Sequence, residues 1–161
     1  MTKFIAVLSV FFLLVLMDQK IFAAQDAHFT GTAFAGSDFT DADFTQLSKK
    51  NTVSLIYIWS PHMNLSLRGL DDMLAMKHPH REVVILMDPT ANREFAEKTV
   101  KEHGWPSSVL RTFDSPELRV AGAGVHYPSY IVLSKRKPAG QILPGYKTDE
   151  QIESFIRGWK P

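Results

Sequence analysis

The chain has 161 residues, 45% of them apolar, which is enough for one domain with its own core. A formal net charge of +1 with 22% charged residues gives no global attraction to nucleic acid, whose ligands carry a concentrated basic face. Cysteine is absent, which excludes disulfides, thiolate ligands, thiol nucleophiles and an acylated-cysteine anchor.

Residues 1–24 read as a secretory signal peptide. After Thr2 and Lys3 comes the almost wholly apolar run from Phe4 to Met17, then Asp18, Gln19 and Lys20, then the small residues Ala23 and Ala24. The run is shorter than the roughly 20 residues a bilayer-spanning helix needs. The expected product is cleaved after Ala23 or Ala24 and is periplasmic or secreted, with no stable membrane anchor. Cleavage takes Lys3, Lys20 and Asp18 away and leaves the formal charges balanced.

Residues 25–47 form a phenylalanine-rich arm. Phe29, Phe34, Phe39 and Phe44 recur every fifth position in the blocks AHFTG, TAFAG, SDFTD and ADFTQ. The blocks resemble pentapeptide repeats, in which the central apolar residue points into a square β-helix. Four blocks make a single coil, which cannot bury its own apolar face. The expectation is therefore an irregular arm whose phenylalanines plug the domain that follows.

Residues 48–161 alternate strand and helix. Val53 to Trp59 is apolar and β-branched nearly throughout, as in a central strand covered on both faces, and it stops at Ser60-Pro61. Leu65, Leu67, Leu70, Met73, Leu74 and Met76 recur at helical spacing up to about Lys77, before His78-Pro79. Glu82 to Met87 is a second buried strand. Asp88-Pro89 can cap and start a helix with Phe95, Ala96, Thr99 and Val100 as its apolar stripe and Gly104 as its stop.

After Trp105-Pro106 a short extended run covers Ser108 to Arg111, and Ser115-Pro116 opens a helical turn closed by Gly122 and Gly124. Tyr130 to Leu133 is a third strand, joined through Lys135–Gly140 to Gln141, Ile142 and Leu143 as a hairpin. Thr148 and Gln151 make a capping-box pair ahead of Ile152, Phe155, Ile156 and Trp159, the stripe of a closing helix. The class is α/β, a central mixed β-sheet flanked by helices.

That order resembles the thioredoxin-like superfamily over about residues 48–160. The matches are the strand ending at Trp59 with a loop into a helix, Tyr127-Pro128-Ser129 before a strand, and Gly145-Tyr146 after the hairpin. Trp105-Pro106, Val109-Leu110, Asp114, Leu118, Gly124-Val125 and Pro128 further resemble its exported TlpA-like and peroxiredoxin-like branch. The resemblance implies a Trp-Cys-x-x-Cys loop whose first thiol attacks a disulfide and whose second resolves it. Here that loop reads Trp59-Ser60-Pro61-His62-Met63, with Ser60 at the attacking position and Met63 at the resolving one. The resemblance also implies a cis peptide at Tyr127–Pro128 and, beside it, a backbone open to an extended partner.

The expected function is a redox-inactive, protein- or peptide-binding module of the cell envelope, not an enzyme. Its contact surface is Trp59, Ser60, Pro61, His62, Met63, His126, Tyr127, Pro128 and Ser129, with Tyr57 or Tyr146 as nearby aromatic area or as core. No cofactor and no nucleic acid are expected. One alternative is a copper carrier using His62, Met63 and His126, since imidazole and thioether suit copper. The other is a non-redox enzyme using Ser60, which needs a base such as His62 within hydrogen-bond reach. His78 and His80 read as solvated loop histidines, and Met73 and Met76 as core.

Overall fold

The computed structural model describes residues 38–76 and 81–158. The signal peptide, the first two phenylalanine blocks, His78, His80 and Trp159 lie outside the described residues. Among the described residues no helix is long and apolar enough to cross a membrane.

The chain enters with strand β1, Phe39–Thr40, and helix α1, Asp41–Ser48. These residues are thus regular rather than an irregular arm, and they form no β-helix coil, because Phe44 lies on a helix. Thr40 N–H donates to Asp43 Oδ2 at 2.9 Å and satisfies one of the donors exposed at the helix start. Phe39, Phe44 and Leu47 are buried in one cluster with Ile56, Ile58, Val84 and Leu86. Burying each of these phenylalanines contributes about 1.5–3 kcal/mol.

The main sheet has strand β2, Ser54–Trp59, at its centre. Strand β3, Glu82–Met87, lies parallel to it on one side, reached through helix α2, Asn64–Ala75. Strand β5, Ser129–Ser134, lies antiparallel on the other, followed by the edge strand β6, Lys137–Pro144. Between β3 and β5 run helix α3, Arg93–His103, a 3₁₀ turn, Ser107–Leu110, strand β4, Phe113–Asp114, and helix α4, Pro116–Val120. Helix α5, Asp149–Gly158, closes the chain. The architecture is thioredoxin-like: a central mixed sheet in the order β3-β2-β5-β6 with helices packed on it.

Every residue of β2 is buried, as a strand covered on both faces requires. Leu55, Tyr57 and Trp59 take one face, and Ile56 and Ile58 take the other with α1 and α4 residues. The closing helix has the expected capping pair: Thr148 N–H donates to Gln151 Oε1 at 3.0 Å, and Gln151 N–H donates to Thr148 Oγ1 at 3.4 Å.

Four expectations are corrected. The run Ser108 to Arg111 is mostly 3₁₀ rather than extended, with Val109 and Leu110 turned inward. Helix α3 starts at Arg93, capped by Asn92 accepting from Phe95 N–H at 2.9 Å, and Asp88-Pro89 belongs to the turn before it. The inward face of α2 is Ser66, Gly69, Leu70 and Met73, so Leu65 faces outward, 54% exposed. The hairpin turn is shorter than expected, since β6 already begins at Lys137; its Pro138 is tolerated because β6 is an edge strand.

Candidate functional site

The site is built where β2 ends. Trp59 is fully buried, its indole N–H donates to Val109 O at 2.8 Å, and Trp105 meets it edge-on with centroids 5.8 Å apart. Trp105 is itself held, donating from Nε1 to Asp71 Oδ1 at 2.8 Å and stacking on His103. These bonds fix the direction in which the chain leaves the strand.

Ser60 and Pro61 are buried beneath the corner. Met63 N–H donates to Ser60 O at 3.2 Å, closing a turn, and Met63 O accepts from Ser66 N–H at 2.8 Å to start α2. Only His62 and Met63 of this corner are exposed. The His62 ring lies flat on Phe95, at a centroid distance of 4.8 Å and an interplanar angle of 5°. Met63 is 45% exposed and Phe95 43%, so thioether, imidazole and phenyl groups form an outward patch.

The second wall comes from the β2–β5 register. Ile58 pairs with Ser129, and one further step sets Pro128 beside Trp59. The Tyr127–Pro128 peptide is cis, and Pro128 O accepts from Gly145 N–H at 2.8 Å. Pro128 and Ser129 are buried, and the Ser129 hydroxyl has no hydrogen-bond partner. His126 is exposed and Tyr127 half-buried. No backbone hydrogen bond joins His126 or Tyr127 to another described residue.

Asp88 links the two walls. Its N–H donates to Trp59 O at 2.7 Å, its carboxylate accepts from Thr90 N–H and from Thr90 Oγ1, and its charge acts on the Tyr127 hydroxyl. Burial, followed by the nearby Asp88 carboxylate, raises the Tyr127 pKa well above the ordinary tyrosine value.

The structure therefore brings the two halves of the sequence-derived surface together but divides it by depth. Trp59, Ser60, Pro61, Pro128 and Ser129 form the buried support, while His62, Met63 and His126, with part of Tyr127, are reachable from outside. Tyr57 is core, bonded through its hydroxyl to Ser66 O at 2.8 Å. Tyr146 is half-buried, donates to Asp72 Oδ2 at 2.7 Å and lies under Arg68. Phe95, Asp88 and Trp105 were missed as site residues. Phe95 sits in an apolar helical stripe and Asp88 precedes a proline, so each has an ordinary structural explanation in the sequence.

Several chemistries can be weighed on this geometry. The chain has no thiol with which to exchange a disulfide. No hydrogen bond joins Ser60 to His62, whose ring is engaged with Phe95. Among the described residues no group of three or more histidine or carboxylate side chains is placed to hold a metal ion. What the arrangement offers is an exposed patch of His62, Met63 and Phe95 at the corner that also carries His126 and Tyr127, whose backbone makes no backbone hydrogen bond to another described residue.

Fold and site together define a thioredoxin-like domain without cysteine. Among solved structures, the chain is similar to a protein from Neisseria meningitidis assigned as a thioredoxin and studied in solution. That match has 17% identity and a TM-score of 0.49, covering 68% of this chain and 75% of the other. It is also similar to a DsbF homologue from Corynebacterium diphtheriae, at 19% identity and a TM-score of 0.43 over 68% of this chain and 73% of the other. No protein-family model matches the sequence, and no curated protein matches it.

Proposed function

We propose that the chain is an exported module with a thioredoxin-like fold that binds an extended segment of another protein and performs no thiol–disulfide exchange. The observation that carries this reading is the backbone of His126 and Tyr127, which no backbone hydrogen bond joins to another described residue, at the same corner as the exposed His62, Met63 and Phe95. A partner strand laid there gains main-chain hydrogen bonds from one wall and apolar contact from the other. Export is supported by the apolar run from Phe4 to Met17 and the small residues Ala23 and Ala24. The cysteine-free corner supports a role in which the scaffold is kept for binding and the redox step is lost.

The test is site-specific photo-crosslinking from position 62 or 127 in the envelope of the producing cell. A reproducible partner, lost when Phe95→Ala removes the platform under His62, supports the reading. Crosslinks spread over abundant bystander proteins overturn it. Stoichiometric uptake of cuprous ion that His62→Ala abolishes would replace it with a carrier function.

A further inference from the structure

We infer that Met63 is a site of reversible oxidation by peroxide: among the described residues its thioether is the first to become a sulfoxide, and the change alters the candidate surface without disturbing the fold. The chain has six methionines and no cysteine, so thioethers are the only sulfur that an oxidant can meet. The fold sorts them. Met63 is 45% exposed, whereas Met73 lies on the inward face of α2 and Met87 at the end of β3, at 2% and 1%, and Met76 is half-buried. Oxidation follows access to the sulfur, so peroxide reaches Met63 directly and reaches Met73 and Met87 only when the core opens.

The step balances without help from the rest of the chain. The sulfur gives an electron pair to one peroxide oxygen, the O–O bond breaks, and the second oxygen leaves with both protons as water; the sulfur loses two electrons and the peroxide gains them. Reversal takes two thiols from another molecule, since this chain has none; they leave as a disulfide, and the sulfoxide oxygen leaves as water. Main-chain bonds hold the corner through the change. Met63 N–H donates to Ser60 O at 3.2 Å, and Met63 O accepts from Ser66 N–H at 2.8 Å and from Leu67 N–H at 3.1 Å, so the start of α2 does not depend on the thioether. An oxygen added to Met73 or Met87 would instead be carried into the core. At position 63 it turns an apolar, pliable side chain into a polar one, next in sequence to His62 with its stacked partner Phe95. The consequence for binding rests on the peptide-binding reading: capture of an apolar partner segment weakens on the order of 10-fold, as for loss of about half of one buried methionine contact.

The test treats the full chain with graded hydrogen peroxide and follows each methionine by peptide mass mapping, with circular dichroism and the urea midpoint as checks on the fold. Met63 should oxidise at least about 10-fold faster than Met73 and Met87, and the chain oxidised at Met63 with those two intact should keep its urea midpoint. Comparable rates for the three residues, or a midpoint that falls in the unaltered chain but holds in Met63→Leu, would overturn the inference. The second readout is the Phe95-dependent crosslink from position 127, compared in cells before and after peroxide. Its yield should drop on the order of 10-fold on treatment of the unaltered chain, while in Met63→Leu, which retains every other methionine, treated and untreated yields should agree. An undiminished crosslink from the oxidised chain overturns the effect on the surface. Selective oxidation at Met63 in a chain that captures no partner in either state supports the modification site and counts against the peptide-binding reading.

Discussion

Replacing Gly69 with alanine sets a favourable local effect against an unfavourable packing one. Gly69 lies in the interior of α2, where alanine is ordinarily better by about 1 kcal/mol. A Cβ added there would stand 2.5 Å from the Tyr57 hydroxyl oxygen and 3.2 Å from that of Tyr130. Tyr57 has no exposed surface, and its hydroxyl donates to Ser66 O at 2.8 Å. Moving the rigid ring aside breaks that bond, at about 1–3 kcal/mol for a buried group left unpaired, and overpacks the core by about 1–3 kcal/mol. After the gain in helix propensity, Gly69→Ala should destabilise by about 2–3 kcal/mol, read as a lower urea midpoint at unchanged slope. Tyr57→Phe alone should cost about 1 kcal/mol and also removes the clashing atom. In the double variant the alanine should therefore cost at least about 1 kcal/mol less than it does alone. Strict additivity of the two substitutions would refute the close contact on which the reasoning rests.

Phe44→Ala should destabilise by about 3–5 kcal/mol, because a fully packed ring is removed from the cluster shared by α1 and the main sheet; a loss below about 1 kcal/mol in thermal or urea unfolding would show that α1 is not integral to the core. Stability should also fall as pH rises above about 10, the unfolded tyrosine value. Burial holds Tyr57 far above it and pushes Tyr130 up to about 12, so the unfolded chain loses these protons first. Tyr57→Phe should flatten the decline by about 1.4 kcal/mol per pH unit, followed as the urea midpoint from pH 9 to about 12. An unchanged slope would show that Tyr57 ionises as readily in the fold as outside it.

The parts of the fold legible in the sequence are those set by burial on both sides. Strands β2, β3 and β5 announce themselves because a strand covered on both faces is a short apolar run, whatever lies around it. The Thr148 and Gln151 pair is a local device and was equally readable. Segments whose form depends on distant partners were harder. Thr40 and Asp41 carry no strand or helix signal strong enough to override the five-residue spacing of the phenylalanines, and β1 exists because β4 lies beside it. The stretch Ser108 to Arg111 looks extended, yet the Trp59 indole N–H donates to Val109 O and the segment is wound to offer that carbonyl. In the candidate site, position could be read but depth could not. Nothing in Trp-Ser-Pro-His-Met says that its first three residues are covered, or that Phe95 leaves its helical stripe to lie under His62.

Residues 38–43 are tied to residues 111–117 by bonds that span 68 to 76 positions: Arg111 to Asp43, Thr112 to Asp38, Ser115 to Asp41, and Glu117 N–H to Asp41. A chain made from its N-terminus, or threaded through a pore in that order, thus presents Phe39 and Phe44 early and can cover them only once Phe113 has followed. During that interval these two aromatic residues lack the partners that bury them, and the molecule is then vulnerable to wrong associations.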